Sequence, residues 1–210
     1  LHPFIRNAVG SMEFGGTILN KRLNRNNDGG TIRRTGDAFQ LATAVLFQNP
    51  VQMFGLTPNN LQDAPAEAMD FMRAVPTTWE DTKFIDGYPG KYIILARRNK
   101  GLWYVAAINN TGADLKTEVD LAFFGNNSAK LYSDGKELAF STKELKFKKN
   151  KKVKLTIPHN GGCVIVEGKE WSGNPILPGF HADPEVLYSE KTGRYYIYTT
   201  TDGQPGWGGW

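Results

Sequence analysis

The chain has 210 residues, 25 of them Lys or Arg and 21 Asp or Glu, for a formal net charge of +4; 40% are hydrophobic and 12% aromatic. This make-up excludes a disordered polymer, and no apolar run approaches the roughly 20 residues that cross a bilayer. A single cysteine, Cys163, excludes an internal disulfide framework.

The length accommodates one large domain or two small ones. The first residue is Leu1 and no basic-then-apolar leader follows it, so no targeting signal is visible. Residues 1–78 read as mixed helix and loop. Asp37 is placed to cap a helix running through Phe47, because Phe39, Ala42, Thr43, Leu46 and Phe47 trace one helical face. Asn49-Pro50 ends it. A shorter helix spans about 66–73, with Pro65 at its first turn and Met69 and Met72 facing inward. Before them, Thr17 to Thr35 contains the polar stretch K-R-L-N-R-N-N-D-G-G, a solvated loop by composition. Two such helices cannot bury a core by themselves, so they are expected to pack on a body outside the chain.

From Trp79 to about Gly168 the apolar period changes to two. Strands are expected at 92–97, 102–108, 117–121, 129–132, 145–147, 153–157 and 163–166, separated by turn signals such as Asn99-Lys100-Gly101, Asp134-Gly135 and Asn160-Gly161-Gly162. Short strands at this spacing, with no helices between them, predict an antiparallel sandwich of about 90 residues. Trp103 and Tyr104 fit core and cross-strand packing. Cys163, inside the apolar run C-V-I-V, fits a buried inert thiol. Seven lysines between Lys143 and Lys154 account for the positive charge. They alternate with Leu145, Phe147, Val153 and Leu155, which places the lysines in water, and Lys148 to Lys152 read as a hairpin turn around Asn150. Without interleaved aromatics this is a solvated, edge-protecting face and not a nucleic-acid surface.

Beyond Glu170, Gly173-Asn174-Pro175 reads as a linker into a second all-β unit, with a strand at Arg194–Thr200. Asp183 and Glu185 stand two apart, so on a strand both would face the same side. No zinc-ligand spacing, phosphate loop or Ser-His-Asp arrangement occurs.

Two stretches resemble known families. The strings H-P-F-I-R-N-A-V-G-S-M-E-F (2–14), Q-L-A-T-A-V-L-F (40–47) and V-P-T-T-W-E-D-T-K-F-I-D-G-Y-P-G-K-Y (75–92) are similar to glycoside hydrolase family 97. Those α-glucosidases and α-galactosidases comprise an N-terminal β-sandwich, a central barrel and a C-terminal β-sandwich. The resemblance implies that residues 1–78 close the barrel and 79–168 form the C-terminal sandwich. It places the catalytic and calcium-binding glutamates upstream of Leu1. Glu13 stands where that family shows an aspartate and is expected to position or stabilise a loop. Glu80 and Asp81 are expected to be capping or interface charges.

The second stretch, N-P-I-L-P-G-F-H-A-D-P-E-V-L-Y (174–188), is similar to the opening of glycoside hydrolase family 43. That family comprises five-bladed β-propellers that act as β-xylosidases, α-L-arabinofuranosidases and arabinanases. The resemblance places Asp183 on the family's general base. An inverting glycosidase needs such a base and a separate acid about 6.5–9.5 Å away on the opposite sugar face. Glu185, on the same side, does not meet that need, so the acid is expected beyond Trp210. Trp207 and Trp210 suit either a sugar-stacking wall or packing between blades. His181 suits either a substrate contact or a structural role.

The expected fold is mainly β: the last helices of a (β/α)8 barrel (1–78), an antiparallel β-sandwich (79–168), a linker (169–173) and an incomplete first propeller blade (174–210). The expected function is hydrolysis of glycosidic bonds in plant-type saccharides by a longer periplasmic or secreted protein. These residues alone are expected to be inactive and to bind no cofactor, with calcium confined to the upstream barrel. The partner expected is a carbohydrate substrate, with no nucleic acid and no membrane; the alternative is a non-catalytic structural or sugar-binding sandwich, whose glycan binding a Trp103 substitution would localise.

Overall fold

A computed structural model describes residues 1–22, 29–56, 64–148, 150–168, 182–190 and 194–200. Leu1–Ser172 form one compact unit and Gly173–Trp210 a second. The first unit opens with a single helical turn, α1 (Arg6–Val9), followed by β1 (Phe14–Thr17), α2 (Asp37–Leu46), β2 (Gln52–Phe54) and α3 (Ala66–Ala74). Strands β3 (Asp81–Tyr88), β4 (Tyr92–Asn99), β5 (Leu102–Asn109), β6 (Leu115–Asp120), β7 (Ser128–Asp134), β8 (Phe140–Lys146), β9 (Lys152–Ile157) and β10 (Gly162–Glu167) complete it. The second unit is described as an antiparallel pair, β11 (Ala182–Ser189) and β12 (Arg194–Thr200).

The sandwich consists of a six-stranded antiparallel sheet, ordered β3-β4-β5-β10-β7-β8, and a two-stranded sheet of β6 and β9. One face of the large sheet contributes Ile94, Ala96, Val105, Cys163 and Ile165 to a core closed by Val119, Val153, Leu155 and Ile157 of the small one. Its other face contributes Ile93, Leu95, Tyr104, Ala106 and Val164 to a second core with Leu41, Val45 and Leu46 of α2 and Phe71 and Met72 of α3. Covered on both sides, β4, β5 and β10 carry near-continuous apolar runs. Strand β9, half covered, keeps strict alternation, with Val153, Leu155 and Ile157 buried between exposed Lys152, Lys154 and Thr156. This mainly β, antiparallel architecture with few helices agrees with the sequence reading.

Three local expectations change. The helix that seemed to need an outside body lies on the sandwich sheet, which buries nine of its residues. Asp37 is its first residue and not its cap, because Gly36 occupies the N-cap without a side-chain bond. The capping carboxylate is Asp134, at the end of β7, which accepts the N–H groups of Ala38, Phe39 and Gly162, each at 2.9 Å. Lys148 to Lys152 do not turn a hairpin: β8 pairs with β7 while β9 pairs with β6, so the chain crosses here between sheets. Strand β3 had no clear alternation in D-T-K-F-I-D-G-Y, and a register shift between Phe84 and Asp86 accounts for that.

The same helix is held at its other end by Arg97 of β4, only 5% exposed, which donates to the Leu46 carbonyl at 3.1 Å and to Thr82 Oγ1 at 3.0 Å. An anion thus meets the positive end of the helix dipole and a cation the negative end. Glycine is required where this contact is tightest. A Cβ on Gly36 would overlap the Asp134 carboxylate, and one on Gly162 would collide with the Phe39 backbone.

Asp134→Ala should leave three buried donors without an acceptor and cost roughly 2–4 kcal/mol in urea unfolding; a change within error would show that the clamp contributes nothing. Burial pushes the Asp134 carboxyl up from 3.8 to about 6, against the downward pull of the three N–H groups. The folded state then holds that proton more tightly than the unfolded chain. This contribution is complete below 3.8 and disappears as pH rises through about 6. Unfolding curves of wild type and Asp134→Asn across that window should differ in slope; parallel curves would contradict the linkage.

Candidate functional site

Strands β1 and β2 are parallel neighbours joined through α2, with α3 following β2. Parallel pairing demands such a crossover, and in parallel α/β architectures ligand-contacting groups collect at the C-terminal ends of the strands. At that end of β1, Thr17 Oγ1 lies 2.8 Å from Thr43 Oγ1 of α2, and Gln40 Oε1 accepts the Ile18 N–H at 3.0 Å. Leu19 and Asn20 follow, 3% and 2% exposed.

The guanidinium of Arg33 closes this corner. Its Nε donates to the Asn20 carbonyl at 3.1 Å, Nη1 to the Thr35 carbonyl at 2.8 Å and Nη2 to the Leu19 carbonyl at 3.4 Å. Nη2 also pairs with Asp37 in the first turn of α2. Gln40 Nε2 donates to Thr35 Oγ1 at 2.7 Å, and Gly36 N–H to the Asn160 carbonyl of the sandwich at 3.0 Å. Sequence reading assigned Arg33 to a solvated loop, Asp134 to a turn and Arg97 to an ordinary strand. The available signal was Arg97 directly after the apolar run I-I-L-A on the same strand, where a buried charge requires a specific acceptor.

Two cavities flank this region. One of about 310 Å³ has Phe4, Phe39, Tyr88, Tyr92, Asn110 and Asn160 in its wall. The other, of about 260 Å³, lies at the opposite ends of the strands, where Arg6, Glu13 and Asn49 meet. Glu13 therefore precedes β1, away from the Arg33 corner. Glu80 accepts the Lys100 N–H at 2.8 Å and pairs with Arg98, and Asp81 accepts the Thr82 N–H, so both order the backbone at the start of the sheet.

Trp103 is 5% exposed, with Lys83 and Arg98 over its ring and Phe123 against its edge. It packs the core, as the sequence reading favoured, and so offers no exposed face of its own for a sugar to stack on. Tyr104 is equally buried, and its hydroxyl is pushed up to about 12 by desolvation. The lysine-rich outer face pairs Glu118 with Lys154 and Asp120 with Lys152 across β6 and β9. Among the described residues no three His, Cys, Asp or Glu side chains converge on a metal position. No helix among them is long and apolar enough to cross a membrane.

In the second unit, the register of β11 against β12 shifts between Ala182 and Glu185, so Asp183 and Pro184 sit in a bulge. Proline, without an N–H, suits such a position, and bulges recur beside active sites. The strict alternation assumed between Asp183 and Glu185 does not run through it. His181, Trp207 and Trp210 lie outside the described residues.

Residues 78–166, nearly the whole sandwich, match the family described as Glycosyl-hydrolase 97 C-terminal, oligomerisation. The chain is 35% identical over 133 residues to a retaining alpha-galactosidase of Bacteroides thetaiotaomicron, covering 60% of this chain and 20% of that protein. It is 31% identical over 119 residues to a probable retaining alpha-galactosidase of Streptomyces bingchenggensis, covering 57% and 17%. Among solved structures, a beta-arabinopyranosidase superposes with a TM-score of 0.76 at 59% identity, over 80% of this chain and 27% of that one. A Glycoside Hydrolase Family 97 enzyme from Pseudoalteromonas sp. gives 0.66 at 26% identity, over 79% and 27%. The chain spans about a fifth of the length of its curated relatives and about a quarter of these solved enzymes.

Cys163, 1% exposed and with its thiol pushed up to about 12 by burial and by the nearby Asp134 charge, is chemically silent in this fold. A chromogenic disulfide reagent should label it only after denaturation; stoichiometric labelling of the native chain would contradict its burial.

Proposed function

We propose that this chain is the C-terminal part of a family-97 glycosidase joined to the beginning of a family-43 one, in a longer protein that degrades plant-type saccharides outside the cytoplasm. The observation that carries the first part is the 59% identity to a beta-arabinopyranosidase across 80% of the chain. The alternating order β1-α2-β2-α3 and the parallel β1/β2 pair support residues 1–78 as the closing turns of a (β/α)8 barrel. On that reading Glu13 lies at the N-terminal, stability-bearing face, as befits a loop-positioning carboxylate. The acid and base of the barrel belong to residues upstream, as does any calcium.

The relatives' names narrow the substrate. L-arabinopyranose is D-galactopyranose without its exocyclic carbon, so an alpha-galactosidase and a beta-arabinopyranosidase handle the same ring configuration. The substrate class proposed is therefore galacto-configured pyranosides in preference to α-glucosides. For the family-43 part, the Asp183 bulge and the A-D-P motif support a general base that activates water for inversion. His181, Trp207 and Trp210 are proposed to contact the sugar there.

A protein extended to include both whole enzymes should hydrolyse aryl α-galactosides or β-L-arabinopyranosides at one site and aryl arabinofuranosides or xylosides at the other. Asp183→Asn should cut only the second activity, by roughly 10²–10⁴-fold. Equal loss of both activities, or of neither, would reject the assignment. The 210 residues alone should turn over none of these substrates.

A further inference from the structure

Resting on the barrel reading above, we propose that Arg33 is a positioning residue of the galactoside-cleaving site. It fixes the chain just past the C-terminal end of β1 to the N-terminus of α2, and through it to the sandwich. In a barrel of this kind the groups that touch substrate stand at the C-terminal strand ends and in the segments that follow them. Leu19 and Asn20 are such a segment, and Arg33 holds both of their carbonyls.

The contacts form a continuous chain of buried polar groups. Arg33, with its side chain 11% exposed, spans the Leu19, Asn20 and Thr35 carbonyls and the Asp37 carboxylate. The backbone supports it, since Arg33 N–H donates to the Lys21 carbonyl at 2.8 Å and Arg22 bridges Ile32. Asp37 belongs to the helical turn whose N–H groups end on Asp134 of β7. Only a forked donor reaches this set, because a lysine presents one nitrogen and cannot span three carbonyls. The sandwich thereby helps to fix the position of this strand end. A displacement of about 1 Å at such a place costs up to roughly a hundredfold in rate.

The test uses the protein extended to the whole family-97 part, with aryl α-galactoside and aryl β-L-arabinopyranoside as probes. Arg33→Ala should lower kcat/KM roughly 10–100-fold, with the melting temperature and the amide protection of residues 41–46 and 102–109 unchanged. Millimolar guanidinium should restore part of the loss, Arg33→Lys should not, and the exposed neighbour variant Arg34→Ala should behave as wild type. Full activity in Arg33→Ala, or a loss matched by lost protection throughout α2, would overturn the positioning role while leaving the glycosidase reading intact. An extended wild type that cleaves neither probe would sink both.

Discussion

One helix held at both ends by buried charges of opposite sign organises the first unit. Asp134 and Arg97 reach α2 from two strands of the same sheet, and each ends on backbone groups and not on a side-chain counter-ion. A helix end buried on a sheet leaves N–H and C=O groups that water cannot reach. The sheet supplies what they lack, and the sign at each end follows the helix dipole. An apolar contact alone would allow α2 to slide or rotate. The two charges fix its register and direction.

This fixed helix explains the order around it. Thr17, Ile18 and Thr35 hydrogen-bond to Gln40 or Thr43, and Arg33 is tied to Asp37, so the segments on either side inherit their positions from α2. Buried polar groups are costly unless fully satisfied, and fully satisfied ones specify a single arrangement. The same economy appears inside the sandwich. Glu167, completely buried, accepts the Trp103 and Asn126 N–H groups, and Asn109 bridges its own turn to the end of β9. Carboxylates and amides in this protein mostly hold loops in place, so a carboxylate beside a sugar-enzyme motif is no catalyst on that ground alone.

Much of the sandwich was legible because its strands differ in how they are covered. Val153, Leu155 and Ile157 alternate with exposed partners, while Ile93 to Ala96 and Val105 to Ala107 run on without interruption. Pairing was less legible, since β8 and β9 are successive in sequence yet lie in different sheets. A lysine-rich connection looks the same whether it reverses a strand or crosses between layers. The polar clamp was hidden for a related reason. Asp134 precedes a glycine and reads as a turn former, and its real partners lie almost a hundred residues away, at Ala38 and Phe39. Local pattern reports burial, whereas long-range hydrogen bonds leave no periodic trace. Asp183 was singled out by a short motif, and the bulge around it became visible only from strand register.

The place of α2 in the chain has a consequence for biosynthesis. Nine of its residues are buried in the finished unit, so it has almost no face meant for water. Yet it leaves the ribosome ahead of every strand of the sandwich sheet that covers it, and both Asp134 and Gly162 are made long afterwards. Until β10 inserts between β5 and β7, the sheet face that α2 packs on has a gap at its centre, and the helix stays only partly covered. Completion of that central strand is therefore the event that commits the unit to its fold, and ribosome pausing or chaperone capture before it would act on α2.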